Sequence, residues 1–229
     1  MLHRTKGVVF NFIKYRESSI IVKIFTEKFG MQSYVVNGVR SARGKNKIAL
    51  FQPLTLLELV VYKKEGASIN RISEVRCAVP YQSLPFDVSK SGIAMFLVEC
   101  CVKLIQEEKE SRSLFTFLHH SFLTLDHLQE GVANFHLQFL LKLTRYMGLA
   151  VNTASDLVSQ IEAHLGASMI SRQEQRDLDM LAMSQYGDYL GFHSGQRQKL
   201  LEFILAFYRY HFDNFKNFKS ITVLHAVLH

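Results

Sequence analysis

The chain has 229 residues with a formal net charge of +7, and 48% of its residues are hydrophobic while 21% are charged. This composition is typical of a folded globular protein and excludes a disordered tail. Its apolar stretches are interrupted by charged residues and fall short of the roughly 20 residues that a membrane span requires. No membrane segment or signal peptide is predicted, and we expect a cytoplasmic protein.

The positive charge is concentrated at the start of the chain. Residues 1–80 contain 14 Lys and Arg against 5 Asp and Glu, whereas residues 81–229 contain 13 against 15. A basic segment followed by a nearly neutral one indicates a polyanion-binding module joined to a second module.

The first 80 residues favour β-structure, because short Val-, Ile- and Phe-rich runs alternate with polar turns. Five strands are predicted: Gly7–Tyr15, Ser19–Phe25, Met31–Val36, Gln52–Tyr62 and Ile69–Ala78. Strands at this regular spacing are typical of a small closed barrel or sandwich, and a five-stranded barrel of the oligonucleotide-binding (OB) type is the natural candidate. Phe10 and Phe12, two residues apart, should share one face of the first strand and enter the core.

After Pro85 the apolar pattern becomes helical. The predicted helices run from a cap at Asp87 or Ser89 to about Glu108, and then over Ser111–Leu128, Val132–Met147, Ser155–Leu165, Gln173–Met183, Ser194–Phe215 and Ser220–Leu228. Gly148 is expected to end the third of them as a carboxy-terminal cap. The predicted fold is therefore a two-domain α+β protein, with a barrel domain at residues 1–80 and an all-helical domain at residues 81–229.

The segment from Val39 to Lys47 carries cations and no acid. Such a loop suits binding to the phosphates of a nucleic acid, although a solvated surface loop is the alternative. Tyr34 precedes this loop and is the aromatic residue that we expect to stack on an unpaired base. The predicted DNA-binding set, which includes other cations of the basic segment, is Lys6, Lys14, Arg16, Lys28, Tyr34, Arg40, Arg43, Lys45 and Lys47.

No pattern in the chain predicts a reaction centre or a metal site. The three cysteines, Cys77, Cys100 and Cys101, form no C-x-x-C pair, and the ten histidines form no H-E-x-x-H motif. We expect buried cysteines, no zinc, no cofactor and no enzymatic activity. A nuclease is also disfavoured, because the five acids of the basic segment are dispersed.

Five blocks occur in an order that resembles the RecO family of bacterial recombination mediators. They are Lys6-Gly7-Val8-Val9, Tyr15-Arg16-Glu17-Ser18-Ser19-Ile20, Phe25-Thr26-Glu27-Lys28-Phe29-Gly30, Asn37-Gly38-Val39-Arg40 and Phe51-Gln52-Pro53-Leu54. The resemblance continues more weakly at residues 146–149 and 218–224. Many members carry a four-cysteine zinc motif beginning shortly after the equivalent of Gly148, and this chain has no cysteine there.

The resemblance implies an OB barrel, an all-helical domain and a role in DNA repair. It implies binding of single- and double-stranded DNA, annealing of complementary strands, and loading of the RecA recombinase onto strands coated by single-stranded-DNA-binding protein (SSB). RecR and the acidic, apolar-ended tail of SSB are the implied partners, at the nucleoid in the cytoplasm. The alternative is a protein-interaction adaptor that is only weakly tethered to DNA.

A site for the SSB tail needs an apolar slot rimmed by cations. Lys142 and Arg145 lie three residues apart on one predicted helix, beside the apolar Phe139 and Leu143. We take these four residues as the candidate partner site, and a solvated basic edge on a buried helix is the alternative.

Overall fold

The computed structural model describes residues 1–41, 45–64, 66–105, 111–149, 151, 153–165 and 170–228, and the side chains of all of these except 45, 46, 164 and 165. Two compact units are present. The first contains Met1–Gln82 and Ile105–Leu123, and the second contains Ser83–Leu104 and Thr124–His229. Residues 112–123, the first part of a helix, therefore group with the barrel, and a domain boundary at residues 80/81 stays a prediction.

The first unit contains a closed five-stranded barrel, which confirms the fold class expected from the sequence. Around the barrel the strands follow the order β1-β2-β3-β5-β4, with all neighbours antiparallel except β3 and β5. The strands are β1 (Leu2–Tyr15), β2 (Ser19–Thr26), β3 (Gly30–Val36), β4 (Leu56–Tyr62) and β5 (Asn70–Cys77).

A β-bulge at Phe10 divides β1 into two halves. Val9 is paired with Ile24 and Asn11 with Lys23, so that Phe10 is the extra residue. Val9 turns its backbone to the segment before β4: its N–H donates to the carbonyl of Thr55 (3.1 Å), and its carbonyl accepts from the N–H of Leu54 (2.7 Å). Because a bulge shifts the alternation of side chains, Phe12 packs on the barrel core while Phe10 stacks on Phe25 outside that cluster. The prediction that Phe10 and Phe12 share a face is wrong.

The barrel closes between β3 and β5, where side-chain hydrogen bonds supplement a short run of backbone pairing. Strands β3 and β5 are paired at only two positions, Tyr34 with Asn70 and Val35 with Arg71. Beside them, the buried amide of Asn70 donates from Nδ2 to Oε1 of Gln32 (3.2 Å) and accepts from the N–H of Lys64 (3.2 Å). The Gln32 amide in turn donates to the carbonyls of Phe29 and Met31, both at 2.9 Å. A buried polar network therefore completes the shortest seam of the barrel.

Aliphatic residues from all sides fill the barrel interior, together with Tyr34 and Phe51. Packing is tight enough that one position on β1 requires glycine. A Cβ at Gly7 would lie 2.5 Å from Cγ2 of Ile24 and 3.0 Å from Cδ1 of Leu59. Any larger residue at position 7 would push β1 away from its neighbours.

The remaining described elements are helical, as predicted for the region after Pro85. The α-helices among them are α2 (Val88–Leu104), α3 (Arg112–His127), α4 (Phe135–Tyr146), α5 (Ala154–Leu165), α6 (Arg172–Met183), α7 (Ser194–His211) and α8 (Ile221–Leu228). A short α1 (Lys45–Ile48) that no pattern predicted lies between β3 and β4, and two short 3-10 helices span Ala49–Phe51 and Val132–Asn134. Of the two caps considered for α2, the structure has Asp87, whose Oδ1 accepts from the N–H of Lys90 (2.9 Å). Gly148, with φ +72°, ends α4 as expected.

Helix α7 ends four residues earlier than predicted. Phe212 leaves the helix with extended backbone, at φ −136° and ψ 106°. Beyond it Phe215 is fully buried, with its ring 5.0 Å from that of Tyr208 and 4.8 Å from that of Phe218. The aromatic run that reads as one long helix instead folds back to fill the core.

Two polar anchors, the buried Asp126 and the half-buried Glu99, organise the second unit. Asp126 accepts at Oδ1 from the N–H groups of Ser83 (2.8 Å) and Leu84 (2.7 Å), and the ammonium of the buried Lys90 donates to the carbonyl of Asp126 (2.8 Å). At the start of α8, the Glu99 carboxylate accepts from the N–H groups of Lys219 and Ser220. Burial acts to raise the pKa of Glu99, but hydrogen bonds from Ser220 and Lys219 outweigh burial and hold that pKa below its ordinary value.

The closing seam gives a stability prediction. Asn70→Ala removes the amide that joins Gln32 to Lys64 and leaves their polar atoms with fewer partners in a buried place, which costs about 1–3 kcal/mol. We expect a lower urea midpoint of unfolding. Arg71→Ala is the matched control, since Arg71 is the next residue on β5 and is exposed; it should change stability by less than about 0.5 kcal/mol. Equal effects of the two substitutions would contradict a structural role for the Asn70 amide.

Candidate nucleic-acid interface

One cluster of cations lies where the β1–β2 turn meets the segment after β3. Arg40 donates from Nη1 to the carbonyl of Arg16 (3.1 Å), and its backbone N–H donates to the carbonyl of Ser18 (3.0 Å). Arg16 has a φ of +49°, in the left-handed region, and Lys14 is the last exposed cation of β1 before the turn. We call Lys14, Arg16 and Arg40 the turn patch. The structure thus brings together three predicted DNA-binding residues from two separate segments.

The other cations of the predicted basic loop are only partly described. Lys47 is exposed on α1. Arg43 and the side chain of Lys45 lie outside the described residues, so their predicted role stays a prediction.

A second set of cations lines a groove on the outer face of the barrel. The register pairs Lys6 on β1 with Glu58 on β4, and Glu58 with Arg76 on β5. The groove has a volume of about 650 Å³. We call it the outer-face groove; its charged lining is Arg4, Lys6, Lys28 and Arg76 with Glu27, Glu58 and Glu74. Lys6 and Lys28 were predicted to bind DNA, whereas Arg4 and Arg76 were missed, since only the pairing of β1, β4 and β5 brings them to the groove.

Two of the three carboxylates in the outer-face groove are already paired. Glu58 accepts from Nε of Arg76 (2.7 Å), and Oε1 of Glu27 lies 3.5 Å from Nε of Arg112 on α3. These pairs are exposed, since the side chain of Arg76 retains 77% and that of Arg112 80% of its accessible surface. Exposed ion pairs are weak, so both arginines can exchange a carboxylate for another anion.

Tyr34 does not face solvent. Its side chain is 1% exposed within the barrel core, and burial raises the pKa of its phenol far above the ordinary value. The prediction that Tyr34 stacks on a base is therefore wrong: position 34 falls on the inward face of β3. Tyr62, at the end of β4, is 49% exposed and is the better-placed aromatic residue of the barrel.

The candidate partner site on α4 is only partly accessible. Phe139 and Leu143 are fully buried core residues, so the prediction that they line a partner slot is wrong; they lie on the face of α4 that packs inside the unit. Lys142 donates to the carbonyl of Ser184 (2.9 Å) and lies over the ring of Tyr186. Burial lowers the pKa of Lys142, opposed by the nearby carboxylate of Asp188. Arg145 is exposed and remains available.

The cysteines and histidines offer no cluster within the described residues. Cys100 and Cys101 are fully buried, and burial raises the pKa of each thiol well above its ordinary value. In the described ranges, no three His, Cys, Asp or Glu side chains are grouped as metal ligands would be. The expectation of a zinc-free protein stays a prediction. Over the same ranges, no helix is long and apolar enough to cross a membrane.

Comparison with known proteins decides the family. The family model "Recombination protein O N terminal" matches residues 1–81, and "Recombination protein O C terminal" matches residues 85–220. The chain belongs to the RecO family. It is 37% identical over 237 residues to the "DNA repair protein RecO" of Bacteroides fragilis, 36% over 236 residues to that of Flavobacterium psychrophilum and 35% over 233 residues to that of Flavobacterium johnsoniae. Each alignment covers 98% of both chains.

In this RecO-family chain, several of the motif blocks contain residues of the barrel that have positive φ. Arg16 lies in the β1–β2 turn with positive φ, Gly30 follows the β2–β3 turn with φ +62°, and Leu54, at φ +69°, bonds to the bulge. The hydroxyl of Tyr81 holds this last turn by donating to the carbonyl of Leu54 (2.9 Å). The motifs that carry the resemblance are thus largely requirements of the barrel.

The contrast between Lys142 and Arg145 gives a second prediction. Lys142→Met should destabilise the protein by about 1–2 kcal/mol, because the Ser184 carbonyl loses a charged hydrogen-bond donor. Arg145→Met, the matched substitution three residues later on an exposed position, should stay within about 0.5 kcal/mol of the parent. Thermal unfolding of the two variants measures the difference, and an unchanged Lys142→Met variant would contradict a structural role for this ammonium.

Proposed function

We propose that this protein is a DNA repair and recombination mediator that binds DNA, anneals complementary strands and helps to load RecA onto SSB-coated single strands. Membership of the RecO family supports the general role. The observation that carries the DNA-binding part is the turn patch, where three cations of two chain segments meet at one end of a closed barrel within a segment of net charge +9. Such a surface attracts phosphates and releases their counterions.

The proposed mechanism depends on charge alone. Two DNA strands repel each other through their phosphates, and exposed Lys and Arg side chains on the barrel lower this repulsion while leaving base edges free to pair. Lys14 and Arg16 suit this task because one lies at the exposed end of β1 and the other in the turn that follows it. No bond is made or broken in such a process, so we propose a non-enzymatic protein that uses no cofactor.

The partners proposed for this role are single- and double-stranded DNA, RecR and the SSB tail, at the nucleoid. For the tail, the exposed Arg145 is the residue of the original candidate site that remains available. Lys142 is proposed only as a neighbouring charge, because its ammonium is bound to the Ser184 carbonyl.

A salt titration tests the DNA-binding surface. Replacing Lys14, Arg16, Arg40 and Lys47 by Ala should weaken single-strand binding and lower the slope of log affinity against log salt by about 0.7 for each phosphate that the protein no longer neutralises. The control replaces four exposed cations of the second unit by Ala, which changes the net charge equally: Arg145, Arg172, Arg209 and Lys216. Fluorescence anisotropy with a labelled strand measures both variants.

The same titration separates the proposal from its alternative. A steep salt slope in the parent, reduced by the barrel substitutions and not by the control, supports a DNA-binding mediator. Salt-insensitive partner binding without strand annealing would favour a protein-interaction adaptor. If the salt slope of DNA binding falls equally in the barrel variant and in the control variant, the turn patch is not part of the DNA interface.

The proposed tail interaction gives a fourth prediction. Arg145→Glu replaces an attractive charge by a repulsive one and should weaken binding of an acidic tail peptide at least about fivefold, in line with a charge-assisted hydrogen bond of about 1 kcal/mol or more. Arg172→Glu, on α6, is the matched control, and DNA affinity is measured for both. Unchanged peptide affinity in Arg145→Glu would place the tail site elsewhere.

A further inference from the structure

Two of the cation sets on the barrel, the outer-face groove and the turn patch, lie far apart along β1. Lys6 lies in the outer-face groove and Lys14 in the turn patch, and the two residues are eight positions apart on β1. At about 3.3 Å per residue this corresponds to about 26 Å, slightly shortened by the bulge at Phe10. One phosphate group cannot reach both sets.

The two sets also lie on different faces of the sheet. Lys14 is paired with Ile20, and Ile20 is part of the barrel core, so the two side chains share the inward face, Lys14 at its very end. Lys6 is paired with Glu58, and both line the groove on the outside. The bulge between them reverses the alternation of β1 and is the cause of this division.

The outer-face groove has the chemistry of a phosphate site of moderate strength. Arg4, Lys6 and Lys28 are exposed and make no ion pair within the described ranges, while two of the three carboxylates are held by Arg76 and Arg112. A concave surface concentrates the field of such cations. The paired carboxylates reduce the net charge, so a strand bound in the groove should be released more readily than one held at the turn patch.

We propose that the outer-face groove is a second site for a nucleic-acid phosphate backbone, filled independently of the turn patch, so that one chain holds two strands at once. This inference rests on the proposed function, because it assumes that the turn patch binds the first strand. It gives annealing a geometric basis: the two strands occupy opposite ends of β1, and the weaker site delivers its strand to the other.

The test counts strands per chain. Two non-complementary strands of about four nucleotides, at the lower end of the site size of a single OB barrel and too short to contact both sets, carry different fluorophores. We expect two strands per chain at saturation for the parent. The groove variant, Arg4→Ala with Lys6→Ala and Lys28→Ala, should hold one strand, keep its tighter affinity within about threefold and anneal complementary strands at least about tenfold more slowly.

Two further variants control the experiment. The turn variant, Lys14→Ala with Arg16→Ala and Arg40→Ala, should lose the tighter strand and keep the weaker one. Arg172→Ala with Arg209→Ala and Lys216→Ala removes the same charge from exposed positions of the second unit and should still hold two strands. Urea unfolding checks that all variants are folded, as expected for substitutions at the surface.

The outcomes are distinct. A parent that saturates with one strand overturns the second site and leaves the proposed function intact. A groove variant that still holds two strands places the second site elsewhere and overturns the assignment to the groove. A parent that binds no strand overturns the proposed function itself.

Discussion

The seam between β3 and β5 is the constraint on which the barrel depends. Only two backbone pairs join these strands, and the buried amides of Gln32 and Asn70 supply further hydrogen bonds beside them. A barrel has no free edge only if every seam closes. The closed seam completes a barrel in which β5 also pairs with β4, and that pairing places Arg76 beside Glu58 on the outside. The strand that closes the barrel therefore also carries part of its surface charge.

The bulge at Phe10 has the corresponding effect on β1. It reverses the side-chain alternation half-way along the strand and frees the backbone of Val9 to bind the segment before β4. Without the bulge, Lys6 and Lys14 would share a face of β1, because they are eight positions apart and side chains alternate between faces with a period of two. A single extra residue therefore decides whether the cations of β1 form one surface or two.

Features that depend on local sequence pattern could be predicted, whereas features that depend on how the strands pair in the closed barrel could not. Five strands, seven helices and the cap of α2 at one of two candidate residues followed from hydrophobic period and turn chemistry. The inward orientation of Tyr34 could not be deduced, because the face of β3 is fixed by its pairing with β2 and β5. Arg4 and Arg76 were missed for a similar reason: they are isolated cations in the sequence, and only the register of β1, β4 and β5 brings them into one groove.

The two parts of the chain also differ in how their cations are used. In the second unit, several cations serve internal contacts: Lys90 is buried against Asp126, Lys142 binds the Ser184 carbonyl, and Arg197 donates to the Leu228 carbonyl (2.9 Å). Burial lowers the pKa of Lys142 and of Arg197, in keeping with side chains removed from water. In the barrel, by contrast, Arg4, Lys6 and Lys14 are exposed. Since accessible cations are the ones that attract a polyanion, the helical unit offers DNA less than its count of Lys and Arg indicates, whereas most of the barrel cations that the structure describes are exposed.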